Sequence, residues 1–107
     1  MPFYLVEGVY TREALKTLVE KPQSRLQPVI DMLAKVGGKL HHQFFVLGEC
    51  DMVALYEVPD DVDAAAVSLI VSTSGHMASF KTRRLLTDEE GVQAMRKAHG
   101  ITVAPPS

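Results

Sequence analysis

The sequence predicts an α+β fold in which a four-stranded antiparallel sheet carries its helices on one face. Segments typical of strands and helices follow one another in the order strand, helix, hairpin, helix, strand. A glycine-led turn joins the two middle strands, and a chain of 107 residues suffices for one domain only. We expect that domain to span residues 1–100 and a flexible tail to follow at 101–107.

The first part of the chain predicts one strand and two helical segments. Residues 3–10 are rich in aromatic and β-branched side chains, which is typical of a strand. Thr11 is the predicted N-cap of a helix over residues 12–20. A hydroxyl residue followed three positions later by glutamine, Ser24 and Gln27, predicts a capping box that opens the second helix. A pair of glycines then ends that helix.

The middle of the chain carries the hairpin signal. Residues 39–47 and 50–58 both predict strands, and Gly48-Glu49 between them is typical of a type II′ turn. Such a turn fixes the register of the two strands. The opposing pairs it predicts are Phe44 with Val53, His42 with Leu55, and His41 with Tyr56.

The last part of the chain predicts a helix, a strand and a short helix. The segment Pro59-Asp60-Asp61 is predicted to end the strand before it and to supply the N-cap of the first of these helices. Its predicted core-facing residues are Val62, Ala65, Ala66, Leu69, Ile70 and Thr73. A strand over residues 77–86 follows, and then a capping box from Thr87 to Glu90 opens a helix that runs to about Ala98.

This order of elements is the ferredoxin-like βαββαβ pattern, in which right-handed crossovers place the helices on one face of the sheet. The hairpin, however, is apolar on both faces: Phe44, Val53 and Leu55 share one face, and Phe45, Met52 and Ala54 share the other. The helices cover only one of these sets. We therefore expect a homodimer that packs sheet against sheet, or a larger homo-oligomer built from such dimers.

Charge and composition exclude several classes of partner. Eleven Lys and Arg residues against thirteen Asp and Glu residues give a net charge of −2, so we expect no nucleic-acid partner. No apolar run approaches the roughly 20 residues of a membrane span, so we expect no membrane partner. Cys50 is the only cysteine, which favours the reducing cytoplasm. Nucleotide-binding and zinc motifs are absent, and we expect neither a cofactor nor a metal ion.

Topology brings three side chains suited to acid–base chemistry to one end of the predicted sheet. There the end of the first strand meets the starts of the third and fourth strands, which places Tyr10, Asp51 and His76 together. A carboxylate raises the pKa of a neighbouring imidazole and orients its ring, and a phenol donates a hydrogen bond, so these are the candidate catalytic residues. Alternatively, Asp51 accepts from backbone N–H groups of the hairpin, and Tyr10 packs at a strand end.

Five further residues are candidates for ligand binding: His42, Phe44, Cys50, Arg83 and Arg84. Cys50 is either a reactive thiol beside His76 or an inert, buried one. The two arginines lie at the opposite end of the sheet, where they suit an anionic ligand or pair with acidic groups such as Glu57 or Asp88. His41 and His42 are adjacent in a strand and point to opposite faces, which disfavours a shared metal ion.

Several short segments, in order along the chain, resemble the GYD-domain family. They are Tyr10-Thr11, Gly37-Gly38-Lys39-Leu40, Gly48-Glu49-Cys50-Asp51, Pro59-Asp60-Asp61, Thr82-Arg83-Arg84 and Thr87-Asp88-Glu89-Glu90. The resemblance covers residues 3–97 and implies a dimeric α/β barrel of the ferredoxin-like superfamily. In this sequence Cys50 replaces the family's namesake tyrosine. The resemblance implies no single activity, since its superfamily includes cofactor-independent monooxygenases, haem-degrading enzymes, dismutases and ligand binders.

Three functions are compatible with the sequence. The leading hypothesis is a homo-oligomer that binds a small apolar or aromatic molecule in a cavity between the sheet and its helices. The first alternative is a cofactor-independent oxygenase, isomerase or cyclase in which His76, Tyr10 and Asp51 move protons. The second alternative is a structural or regulatory oligomer without a pocket. A cavity of a few hundred Å³ lined by convergent polar groups would favour the first two.

Overall fold

A computed structural model describes residues 1–107. Its elements in chain order are β1 (Phe3–Tyr10), α1 (Arg12–Glu20), α2 (Leu26–Lys35), β2 (Lys39–Phe45), β3 (Met52–Glu57), α3 (Asp61–Thr73), β4 (Met77–Leu85) and α4 (Asp88–Ala98). The strands form one sheet in the order β2-β3-β1-β4, and all neighbours are antiparallel. This is the predicted α+β, ferredoxin-like topology.

The core lies between one face of the sheet and helices α2 and α3. Alternate residues of the two central strands point into it, as the period of a strand requires. Its buried members are Tyr4, Val6, Tyr10, Met52, Ala54, Tyr56, Val58, Leu33, Ala64 and Val67. The core is therefore built on the helix-facing side of the sheet alone.

The hairpin departs from the predicted two-residue turn. Its strands stop at Phe45 and resume at Met52, and the longer connection is closed by a hydrogen bond of 2.9 Å from the Val46 N–H to the Asp51 carbonyl. The predicted pairs Phe44–Val53 and His42–Leu55 are confirmed. The predicted pair His41–Tyr56 is wrong, because a bulge at position 41 places Leu40 opposite Tyr56.

Three of the four predicted helix caps are confirmed. The side chains of Thr11, Asp60 and Thr87 accept from the N–H groups of Ala14, Asp63 and Glu90, respectively, and Thr87 and Glu90 complete the predicted capping box. The capping box predicted at Ser24 and Gln27 is wrong. Helix α2 starts at Leu26, after Arg25, whose side chain makes no cap. The Gln27 amide donates to Asp31 at 2.8 Å instead of reaching back to the start of the helix.

The buried face of α3 also differs from the predicted one. Ala64 and Val67 are buried, whereas Val62 and Leu69, both predicted to face the core, are 76% and 66% exposed. The helix is apolar on nearly every side, so the spacing of its apolar residues does not select one face. Packing against the sheet selects the face, and apolar side chains are left on the outside.

The second face of the sheet, which we call the outer face, is covered by no helix. Its central part consists of the alternate residues Phe3, Leu5, Glu7 and Val9 of β1 and Val53, Leu55 and Glu57 of β3, all of which are half-buried. His42 and Phe44 of the edge strand β2 lie beside them, with their rings stacked at 5.8 Å. The central part of the outer face is mostly apolar, as the sequence predicts for the hairpin, and its β4 edge carries the exposed side chains of Lys81 and Arg83.

Helix α4 projects from the body of the molecule. None of its residues is buried, and Met95 on its surface is 70% exposed. The radius of gyration is 17.4 Å, compared with about 13 Å for a compact domain of about 100 residues. The helices of the chain all lack the length and apolar character needed to cross a bilayer.

Candidate functional site

A cavity of about 460 Å³ lies between the helix-facing side of the sheet and helices α1, α2 and α3. It sits at the end of the sheet where β1 ends and where β3 and β4 begin. Its apolar walls include Leu18, Val29, Met32, Met52, Val71 and Met77. Methionine side chains adapt their shape, which suits a wall that must fit a molecule of irregular outline.

Seven polar side chains line the cavity, and four of them are Tyr10, Arg25, Gln43 and His76. These four come from β1, the segment before α2, β2, and the turn before β4. Neutral polar groups of Thr17, Gln23 and Ser74 complete the lining, which contains no Asp, Glu or Lys. An apolar volume with a few convergent polar groups is the usual form of a small-molecule site.

Tyr10 is buried at the inner end of the cavity. Burial raises the pKa of its phenol, the positive charge of Arg25 lowers it to a smaller extent, and the Asp51 carboxylate adds a small increase. The phenol is therefore neutral at physiological pH. In that state it donates one hydrogen bond and accepts others.

Asp51 is tied to the backbone of β1. Its Oδ2 accepts a hydrogen bond of 2.9 Å from the Tyr10 N–H, and its own N–H donates to the Gly8 carbonyl at 2.9 Å. It does not line the cavity, and no hydrogen bond joins it to His76. This geometry matches the structural interpretation of Asp51, in which its carboxylate satisfies a backbone N–H group.

His76 stands at the mouth of the cavity, where it is exposed. Its main chain fixes its position: the N–H donates to Ser74 Oγ at 3.1 Å, and the carbonyl accepts from the Thr11 N–H at 2.9 Å. The Thr11 hydroxyl also donates to the Gly75 carbonyl at 3.2 Å. The structure thus brings Tyr10 and His76 to one cavity without a carboxylate beside the imidazole.

Arg25 and Gln43 are site residues that the sequence did not indicate as such. Arg25 is half-buried and forms neither an ion pair nor a side-chain hydrogen bond. Oε1 of Gln43 is buried and has no hydrogen-bond partner. Both residues, with Tyr10, also line an adjoining pocket of about 200 Å³ that reaches Phe44. Gln43 could have been found from the sequence, because the hairpin pattern places this polar side chain on the core-facing side of β2.

The other predicted ligand-binding residues lie outside the larger cavity. His42 is on the outer face, Cys50 is a half-buried free thiol in the hairpin connection, and Phe44 reaches only the smaller pocket. The two arginines are paired with acidic groups other than those predicted. Arg83 donates to Glu7 at 3.1 Å, and Arg84 donates to Asp61 at 3.2 Å.

The two adjacent histidines of β2 serve different contacts. Nε2 of His41 lies 2.6 Å from Oε2 of Glu57, and the imidazole lies 5.5 Å from the ring of Phe3. This replaces the predicted contact of His41 with Tyr56, because the bulge turns His41 towards the outer face. Nowhere in the molecule do three His, Cys, Asp or Glu side chains gather in a way that suits a metal ion.

Two solved structures share this fold. The crystal structure of FFRP-DM1 matches with a TM-score of 0.51 and 14% sequence identity, over 80% of this chain and 100% of that chain. The crystal structure of the hypothetical protein PHS023 from Pyrococcus horikoshii matches with a TM-score of 0.53 and 12% identity, over 95% of this chain and 100% of that one. At such identities the likeness concerns the fold alone.

Comparison with protein families assigns the chain more closely. No curated protein matches it. The GYD domain family model matches residues 4–95, a range that contains the sheet except for Phe3, helices α1 to α3 and every residue of the cavity. The resemblance drawn from the short sequence segments is therefore confirmed, and the chain belongs to the GYD-domain family.

Proposed function

We propose that this GYD-domain protein is a homodimer that binds a small, mostly apolar molecule in the cavity between its sheet and its helices. The observation that carries the proposal is the cavity of about 460 Å³ with Tyr10, Arg25, Gln43 and His76 on its walls. A volume of this size accommodates a small organic molecule, and the few polar groups fix its orientation.

The buried Oε1 of Gln43 supports a binding role. A buried polar atom without a partner costs about 1–3 kcal/mol, and the side chain that carries this one is part of the cavity wall. A bound molecule with which the Gln43 amide rearranges to form a hydrogen bond would offset the cost. A purely structural oligomer gives no reason for such an atom beside an open volume.

The outer face of the sheet supports the dimer. Burying a Leu, Val or Phe side chain contributes about 1.5–3 kcal/mol, and this face presents Phe3, Leu5, Val9, Val53 and Leu55 side by side with no helix over them. A second copy of the chain offers a matching apolar surface, because a two-fold axis brings identical patches together.

Helix α4 and the tail support association as well. An isolated helix of 11 residues is marginal in water, so α4 needs packing that its own domain does not supply. Beyond it, Ile101 and Val103 are 75% and 91% exposed. A partner subunit would cover these side chains. Such a protein suits the reducing cytoplasm, where Cys50 remains a free thiol.

Native mass spectrometry of the protein purified from its own host tests both halves of the proposal. We expect a dimer that carries a retained small molecule. Ala14→Phe, which fills the cavity from α1, should lose that molecule, whereas Val19→Phe on the exposed side of the same helix should keep it. A monomer at micromolar concentration would refute the dimer. Absence of any retained molecule, together with no binding of the neutral dye Nile red, would refute the binding role.

One observation favours an enzyme as the second candidate. Tyr10 and His76 line the same cavity, which would let an imidazole and a phenol act on one bound molecule as proton acceptor and donor. The candidate reactions are those of a cofactor-independent oxygenase, isomerase or cyclase. His76→Ala should abolish turnover of the molecule identified by mass spectrometry and leave its binding intact. Unchanged turnover in this variant would refute the role of His76.

A further inference from the structure

The charges around the cavity have a single sign. Arg25 is the only Lys, Arg, Asp or Glu residue in the lining, although the chain as a whole carries a net charge of −2. The arginine ion pairs of the molecule join Arg83 with Glu7 and Arg84 with Asp61, and Arg25 is left without an acidic partner. A half-buried guanidinium with five N–H donors is an incomplete site for an anion.

The first turn of α2 also favours an anion in the cavity. Its N-cap residue is Arg25, which makes no side-chain cap, and the first turn contains no acidic residue. Pro28 and Val29 of that turn line the cavity. The N-terminal end of a helix carries partial positive charge, which usually attracts an acidic side chain or a bound anion. Neither an Asp nor a Glu side chain takes that place here.

We propose, building on the binding function above, that the cavity takes a carboxylic acid with an apolar body, and that the Arg25 guanidinium holds the carboxylate. One arginine balances the single charge of a carboxylate. A phosphate monoester would leave a second negative charge beside walls that are mostly apolar, which is costly. The carboxylate and guanidinium geometries match for a two-pronged hydrogen-bonded pair.

The remaining polar groups fit the body of such an acid. Gln43 lines the cavity, and its amide has both an accepting oxygen and a donating nitrogen, so a hydroxyl group on the ligand can pair with either. Tyr10 and Arg25 line both the cavity and the adjoining smaller pocket, so the phenol is placed to donate a second hydrogen bond to a carboxylate held by Arg25.

Calorimetric titration at low ionic strength with two isosteric probes, phenylbutyrate and its neutral amide phenylbutyramide, tests this assignment. We expect the acid to bind at least about tenfold more tightly than the amide. Arg25→Gln should weaken binding of the acid by about 10- to 100-fold and leave binding of the amide unchanged. Arg25→Lys keeps the charge and loses the two-pronged geometry, so its affinity for the acid should lie between that of the wild type and that of Arg25→Gln. Arg12→Gln, which removes an exposed charge from α1, is the matched control and should change neither probe.

The outcomes separate this assignment from the binding role itself. Equal affinities for acid and amide, or an acid affinity that Arg25→Gln leaves unchanged, would overturn the carboxylate assignment and leave the cavity as a site for neutral molecules. If both probes fail to bind while Nile red binds to the wild type and not to Ala14→Phe, the assignment is again overturned and the binding function stands. If Nile red also fails to bind, the binding function falls with it.

Discussion

The Tyr4 hydroxyl donates a hydrogen bond of 2.6 Å to Oδ1 of Asp61, which joins the first strand to the first turn of α3. Arg84 of the edge strand donates to the same oxygen at 3.2 Å. The ring of Tyr4 stacks on that of Tyr56 at 5.5 Å, with an interplanar angle of 20°. The two buried tyrosines therefore share one packing environment, but the Tyr56 hydroxyl has no partner.

This pair allows a matched test of the hydroxyl groups. Tyr4→Phe should lower the free energy of unfolding by about 1 kcal/mol. This loss is smaller than is usual for a hydrogen bond to a charged acceptor, because the Asp61 side chain is 73% exposed. Tyr56→Phe should leave the free energy of unfolding unchanged or raise it by up to about 1 kcal/mol, since it removes a buried, unpaired polar atom. Urea denaturation followed by circular dichroism measures both. Equal losses in the two variants would contradict the assigned hydrogen bond.

Alkaline pH should destabilise the protein through its tyrosines. Burial, followed by the hydrogen bond to Asp61, raises the pKa of Tyr4 to about 12, and burial raises the pKa of Tyr56 to about 12. Unfolded tyrosine has a pKa of about 10, so between about pH 10 and 12 the folded state keeps protons that the unfolded chain has lost.

The free energy of unfolding should therefore be constant with respect to these groups below about pH 10 and fall as the pH rises towards 12. Urea denaturation at a series of pH values measures it, and the absorbance of tyrosinate reports ionisation directly. The Tyr4→Phe variant, which lacks one of the shifted tyrosines, should show a shallower fall. Tyrosinate absorbance that develops near pH 10 in the folded protein would contradict the burial of these side chains.

The paired glycines that end α2 do so for different reasons. Gly37 adopts a φ of +74°, in the left-handed region that glycine occupies without strain. At Gly38 there is no space for a side chain. A β-carbon there would lie 2.7 Å from the Glu57 carbonyl oxygen and 2.7 Å from Cγ1 of Val58. The first glycine is required by the turn, and the second by the contact between α2 and β3.

Gly38→Ala should therefore lower the free energy of unfolding by about 1–3 kcal/mol, because the backbone must move to relieve the contact. Gly91→Ala in α4 is the matched control. A β-carbon at Gly91 meets nothing within 4 Å, so alanine should raise the helix content and add about 0.5–1 kcal/mol. Thermal and urea denaturation of the two variants measures these changes. A neutral Gly38→Ala would refute the close approach of the backbone at Gly38 to Glu57 and Val58 at the end of β3.

Local signals predicted most of the fold from the sequence. The caps at Thr11, Asp60 and Thr87 depend on a residue and its neighbours three positions away, and the structure retains them. The hairpin register was right at Phe44 and His42, because the strands keep the register that a turn centred on Gly48-Glu49 predicts, although their ladder ends before the turn. Beyond them, the bulge at position 41 and the longer turn depend on contacts with β1 that the hairpin sequence does not contain.

The candidate site was only partly predictable. Strand order alone placed Tyr10 and His76 at one end of the sheet. Arg25 lies in an irregular segment between α1 and α2, and its position depends on how these helices pack, which no periodic pattern records. The orientation of α3 was missed for a related reason: a helix with apolar residues on nearly all sides leaves the choice of face to its neighbours.

The proposed dimer depends on the outer face, so a charge placed at the centre of that face should weaken it. Leu55 lies at the centre of that face, opposite Leu5 on the neighbouring strand. Leu55→Glu would bury a carboxylate from each subunit in an apolar interface, so the dissociation constant of the dimer should rise by at least about 100-fold. Val19→Glu, at a position on α1 that is 79% exposed, adds the same charge away from the outer face and should leave the dimer intact.

Sedimentation equilibrium over a range of concentrations measures both variants against the wild type. Each variant must first show the circular dichroism of the folded protein, so that loss of the dimer is separated from loss of the fold. If Leu55→Glu stays dimeric while Val19→Glu dissociates, the subunits meet through their helices, and the outer face needs a different partner. Dissociation of Leu55→Glu alone would place the subunit contact on the face that the helices leave open, and would leave the cavity of each subunit on the far side of its own sheet.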